Sequence, residues 1–180
     1  MAVTRLKDEI QQGKPFRSPA EEVFLNLLRT AEVLSSNVAG LLRPLGLSLP
    51  QYNVLRILRG AGPEGMSCNE IGERMVTRDS DITRLLNGLE KRKLARRARD
   101  ASDRRVIRAV ITPAGEQLAT LLDGPIDELI TSQLAHMKRA DLRLLSDLLE
   151  RARVLPEGQS NAFATYSSRG SSDKRKKEAT

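Results

Sequence analysis

Large apolar residues recur three and four positions apart through the first third of the chain. Val23, Leu27, Leu34, Val38, Leu41 and Leu45 share one side of a helix, and Phe24, Leu28, Ala31 and Leu42 widen it. Ser18-Pro19-Ala20-Glu21 supplies its start: a serine cap, a proline where no N–H is needed, and a glutamate placed to reach back. Pro44 and Gly46 end the pattern. The stripe is too broad for one partner. Residues 1 to 17, mixed and polar, read as an arm rather than a folded element.

The start signal returns twice. Ser48-Leu49-Pro50-Gln51 opens a helix with Val54, Leu55 and Leu58 inward, which stops at Gly60-Ala61-Gly62-Pro63. Ser67-Cys68-Asn69-Glu70 opens a shorter one with Ile71 and Met75 inward. A further helix is predicted from Ser80 to Arg92. Its Ile82, Leu85, Leu86 and Leu89 form one side, while Asp81, Thr83, Arg84, Asn87, Lys91 and Arg92 lie toward the other. Two short helices in tandem, the second polar on one face, are what a helix-turn-helix requires.

Beyond Leu94 the period falls to about two, in Arg96 to Arg99 and again in Val106 to Ile111, around the turn-forming Asp100-Ala101-Ser102-Asp103-Arg104-Arg105. This predicts a β-hairpin with a charged tip. Thr112-Pro113 then opens a helix carrying Leu118, Leu122, Ile126 and Leu129, with a kink expected at Gly124-Pro125. A last helix runs from about Lys138 to Val154, and its leucine stripe is assigned to a helical interface. Residues 156 to 180, rich in Ser, Gly and Ala and containing Lys174-Arg175-Lys176-Lys177, read as a disordered basic tail. A solubilising role and weak, salt-sensitive DNA contact both fit that tail.

Charge sharpens this picture. The 180 residues carry a net charge of +7. Twelve basic residues face six acidic ones between Gly72 and Arg108, so the helix-turn-helix and hairpin hold nearly all of the excess. That concentration points to a polyanion. A single cysteine, Cys68, excludes an internal disulfide and a Cys metal cluster, and a single histidine, His136, leaves no His-based metal site. No apolar run is long enough to span a membrane, so a cytoplasmic protein is expected. No nucleophile lies beside a base in a known motif and no glycine loop suits a phosphate; neither an enzyme nor a cofactor is expected.

The order of elements over residues 18 to 154 resembles the MarR family of bacterial winged-helix regulators. The closest likeness lies in Asp103-Arg104-Arg105 followed by Val110-Ile111-Thr112-Pro113-Ala114-Gly115, similar to the family's wing signature, and in Asp79 to Leu94, similar to its recognition helix. Lys93 departs from the family pattern, which has glycine at the corner into the first wing strand. The resemblance implies a mainly α fold with a small β-hairpin wing. It divides the chain into a dimerisation helix (18–47), a winged helix-turn-helix (48–112) and further dimerisation helices (113–155). It also implies a homodimer on a palindromic promoter site, acting mainly as a repressor, with Asp103 orienting Arg104 or Arg105 for insertion into the minor groove. Small aromatic acids bind some relatives between the dimerisation helices and the winged domain; with few aromatics here, Tyr52 is where such an effector would be sought.

The residues support the same chemistry unaided. A helix about 10–12 Å across fits a major groove about 12 Å wide. Arg84 suits guanine, Asn87 adenine, and Ser80 and Thr83 a base edge or phosphate; Arg78, Lys91, Arg97 and Arg99 are counted among the DNA-binding residues, Arg99 as a contact that weakens all sequences alike when lost. Asp79 is expected to cap the helix; Asp81 would cap, accept from cytosine or hold an arginine. Cys68 reads as a small packed thiol, the alternative being one activated by its helix terminus, and His136 as a surface or capping residue rather than a switch. Two other functions remain open: a DNA-binding regulator controlled by abundance or a protein partner, and a winged helix whose basic face meets an acidic protein.

Overall fold

The computed structural model describes residues 4–77, 81–99 and 107–154. They fall into two units, divided between Leu134 and Ala135. The first contains α1 (Leu6–Glu9), α2 (Pro19–Leu42), α3 (Leu49–Ala61), β1 (Met66–Ser67), α4 (Cys68–Arg74), α5 (Ile82–Lys91), β2 (Ala95–Arg99), β3 (Ile107–Ile111) and α6 (Pro113–Leu134). The second contains α7 (Arg139–Ala152).

The starts read from the sequence form as capped helices. Ser18 Oγ accepts from the Glu21 N–H at 3.2 Å, and the Glu21 carboxylate accepts from the Arg17 N–H at 2.6 Å. Ser48 with Gln51, and Ser67 with Glu70, form reciprocal capping boxes. After Leu42 the chain tightens into one 3₁₀ turn, Arg43–Leu45, and leaves through Gly46 at φ 63°.

The core is the junction of these helices. Leu42, Val54, Leu55, Leu58, Ile71, Leu86 and Leu89 are fully buried. Each such side chain contributes about 1.5–3 kcal/mol. Because Leu85, Leu86 and Leu89 all face inward, α5 is seated on the core and its opposite face is committed to solvent.

Two features differ from expectation. The sheet has a third strand: β1 pairs antiparallel with β3, Met66 opposite Ala109 and Ser67 opposite Arg108, giving the order β1-β3-β2. The presumed arm contains one helical turn, α1, because Leu6 finds cover at 6% exposure and Glu9 pairs with Arg29 of α2 at 3.3 Å. The helix α6 contains Gly124-Pro125, the place of the expected kink, within its span Pro113–Leu134. Pro125 and Leu121, four positions before it, both lie exposed. In the second unit α7 buries none of its residues, and Leu144, Leu145 and Leu148 lie exposed. The tail 156–180 lies outside the described residues.

Candidate nucleic-acid interface

The polar face of α5 is the centre of the site. Thr83, Arg84, Asn87 and Lys91 are all exposed on it. The helix starts at Ile82, later than expected, and its cap is Asp81, whose Oδ1 accepts from the Arg84 N–H at 3.0 Å. This corrects the expectation that Asp79 caps: the helix starts too late for a residue three positions before Ile82 to serve as its N-cap. Capping also gives the Asp81 carboxylate a place beside the positive end of the helix. Arg78, Asp79 and Ser80 lie outside the described residues, as do Asp103, Arg104 and Arg105 of the hairpin tip.

The C-terminal half of α5 is fastened. Gly88 approaches α3 so closely that a Cβ there would lie 2.5 Å from Gln51 Nε2. At the C-terminal end the Arg92 guanidinium donates to the carbonyls of Gly46 and Leu45, each at 2.7 Å. Those carbonyls close the 3₁₀ turn after α2, where a cation complements the negative helix end.

The corner from α5 into β2 keeps the left-handed geometry that favours glycine, although the residue is lysine: Lys93 has φ 58°. Leu94 N–H donates to Leu89 O at 2.9 Å and Thr112 Oγ1 donates to Lys93 O at 2.7 Å, holding the turn against a strain of about 1 kcal/mol. The same hydroxyl accepts from the Gly115 N–H at 3.1 Å, which explains the Thr-x-x-Gly motif: one threonine ties the corner, the strand end and the start of α6.

Arg97, expected among the DNA-binding residues, is engaged with α5. Its Nη1 pairs with the Glu90 carboxylate and donates to Asn87 Oδ1 at 2.8 Å, Nη2 donates to Thr83 O at 3.4 Å, and its main-chain N–H donates to Glu90 Oε1 at 2.8 Å. Arg99, at the outer end of β2, is exposed. Glu90 and Arg92 were not singled out from the sequence as site residues. Glu90 sits three positions after Asn87, a helical neighbour, and that spacing was the available signal.

Tyr52 is buried at 4% exposure, and burial pushes its hydroxyl above the ordinary pKa, opposed by Arg56, whose guanidinium carbon lies 6.0 Å from the ring centroid. Among the described residues one surface recess lies on α6 around Glu116 and Thr120 and another between α2 and α6 around Leu34 and Ile130; Tyr52 lines neither of these. Beside Tyr52, Arg59 of α3 donates twice to the Asp123 carboxylate of α6, at 2.8 and 2.9 Å. That pair holds the carboxyl below its ordinary pKa. Among the described residues no acidic, Cys or His cluster could hold a metal ion, and no helix is long and apolar enough to cross a membrane.

Comparison with known proteins agrees with this geometry. A model of the MarR family matches residues 45–106. The chain is 35% identical to a MarR transcription factor from Planctomyces limnophilus, whose crystal structure superposes with a TM-score of 0.58 over 76% of this chain and 98% of that one. An uncharacterized HTH-type transcriptional regulator of Bacillus subtilis, YsmB, is 26% identical over 126 residues, 70% of this chain and 80% of its own. The fold is also that of MepR from S. aureus in a DNA complex, at 20% identity and a TM-score of 0.64 over 71% and 93% of the two chains. The family model over the helix-turn-helix and the 35% identity across most of both chains place the chain in the MarR family of DNA-binding transcriptional regulators, which are not enzymes.

Proposed function

We propose that two copies of this chain bind one palindromic promoter site and repress transcription by occupying it, each copy laying α5 in a major groove and its hairpin against the adjacent minor groove. The observation that carries this reading is the exposed row Thr83, Arg84, Asn87 and Lys91 on a helix capped by Asp81 and anchored by Arg92. Arg84 reads guanine, Arg99 and Arg78 contact phosphate, and Asp103 steadies Arg104 or Arg105 at the tip. Pairing of two copies is supported by uncovered apolar side chains on α2, where Val23, Phe24 and Leu28 are more than half exposed, and by the exposed leucines of α7. Two-fold symmetry would set half-sites about 34 Å apart, one helical turn of DNA.

Titration of the purified protein with duplexes selected from a genomic library, at several salt concentrations, tests the reading. Binding is expected to weaken by about 0.9 log units per phosphate contacted for each tenfold rise in salt. Arg84→Ala is expected to cost about 1–3 kcal/mol on the selected site and to blur its preference, and Arg99→Ala to weaken all sequences alike. A strictly monomeric protein that ignores duplexes in dilute buffer would overturn it.

A further inference from the structure

Asn87 has an amide whose two ends are alike in shape and opposite in chemistry: the oxygen accepts, the nitrogen donates. Which end faces a base therefore decides what the base must offer, and in this molecule a neighbour settles the matter. The Arg97 guanidinium carries only donors. It is held by the Glu90 carboxylate, by Thr83 O, and by the β2 backbone, whose own N–H is bonded to Glu90. Against such a fixed donor the Asn87 amide is stable only with its oxygen inward, as the 2.8 Å contact with Nη1 has it; turned over, two donors would face each other. Among the described residues Asn87 Nδ2 has no acceptor.

We propose that Arg97 is a positioning residue that locks the Asn87 amide nitrogen outward, so that the base pair under Asn87 is read through an exocyclic oxygen, guanine O6 or thymine O4. This rests on the assignment of α5 to the major groove. It departs from the adenine pairing expected of a recognition-helix asparagine, because that pairing needs the amide oxygen and nitrogen together. Arg97 thereby determines specificity without touching DNA.

The test uses the full chain and a randomised duplex library. The position whose preference disappears in Asn87→Ala marks the pair read by this side chain; every pair carries one such oxygen, so the base on which binding depends there is expected to be its guanine or thymine rather than its cytosine or adenine. Replacing that base by an analogue lacking the exocyclic oxygen is expected to weaken binding roughly two- to tenfold, the worth of one neutral hydrogen bond. Asn87→Asp keeps an oxygen for Arg97 and turns an oxygen outward in place of the nitrogen, so preference at that pair is expected to move to cytosine or adenine, whose exocyclic amines donate. Arg97→Ala releases the amide and is expected to admit adenine, whereas a purely structural arginine would lower affinity without changing the base chosen. Wild-type selection of adenine with dependence on its 6-amino group, or an unchanged preference in Asn87→Asp, overturns the assignment while leaving the groove reading intact. Enrichment of no duplex by the wild type, or an Asn87→Ala variant with every preference retained alongside an equally indifferent Arg84→Ala, overturns the groove reading and this inference with it.

Discussion

Gly115→Ala puts the corner that joins recognition helix, wing and α6 under direct load. A methyl group at this buried position would overlap the Leu94 carbonyl oxygen and lie 3.0 Å from both the Leu94 carbonyl carbon and Ile111 Cγ1. Carbon atoms rest at about 3.5–4.0 Å, so the backbone must move rather than a side chain rotate. Overpacking of this kind costs about 1–3 kcal/mol. The movement also strains the 3.1 Å bond from Thr112 N–H to Leu94 O and the 2.7 Å bond from Thr112 Oγ1 to Lys93 O, each worth about 1 kcal/mol. The expected loss is about 2–5 kcal/mol, a large share of a total of about 5–15. Urea unfolding followed by circular dichroism, at fixed protein concentration because association contributes, measures it. Gly40→Ala is the control: it is helical, exposed and has nothing within 4 Å of the added atom, so a gain of about 0.5–1 kcal/mol is expected. A Gly115→Ala loss below about 1 kcal/mol would refute the reasoning, since the close approach to Leu94 would then be something the fold tolerates.

Lys93→Gly is expected to stabilise by about 1 kcal/mol in the same assay, because the corner holds φ at 58°; a loss would show that the lysine side chain matters more than the strain. Leu86→Ala removes a side chain only 1% exposed behind the recognition helix and is expected to cost about 2–5 kcal/mol. Asp123 titrates below the ordinary value through its bond to Arg59, so the pair contributes stability above the unfolded carboxyl's pKa and loses it as pH falls through the lower folded one. Asp123→Asn is expected to flatten acid unfolding in that window, modestly because the carboxylate is 47% exposed; an unchanged slope would exclude the pair as a contributor.

What the sequence revealed was what neighbouring residues decide together. Ser48 with Gln51 and Ser67 with Glu70 are three positions apart, and such caps form wherever the chain turns helical. The inward set Leu85, Leu86 and Leu89 was legible for the same reason, by period alone. Contacts made across long stretches were not. Two residues, Met66 and Ser67, have no period to read, and become a strand only because β3 arrives beside them. Arg97 looked like any exposed strand arginine until Glu90 and Asn87 lay alongside it. Leu6 gave no signal of a fold in an otherwise polar stretch, and its burial depends on packing from outside that segment. Asp79 and Asp81 are the same residue type two positions apart, so composition could not choose the cap; the first helical turn did.

Arg92 pins the recognition helix, at the end farther from its N-cap, to the turn that closes α2, so the rest of the helix forms the arm of a lever. Ten residues make that arm about 15 Å long, and a tilt of roughly 5° about the pin would carry the tip about 1.3 Å. That displacement is enough to separate a donor from its base, while the pivot itself stays bonded to the end of α2. A small rotation at the end of α2 would thus arrive, magnified, at the side chains proposed to read sequence.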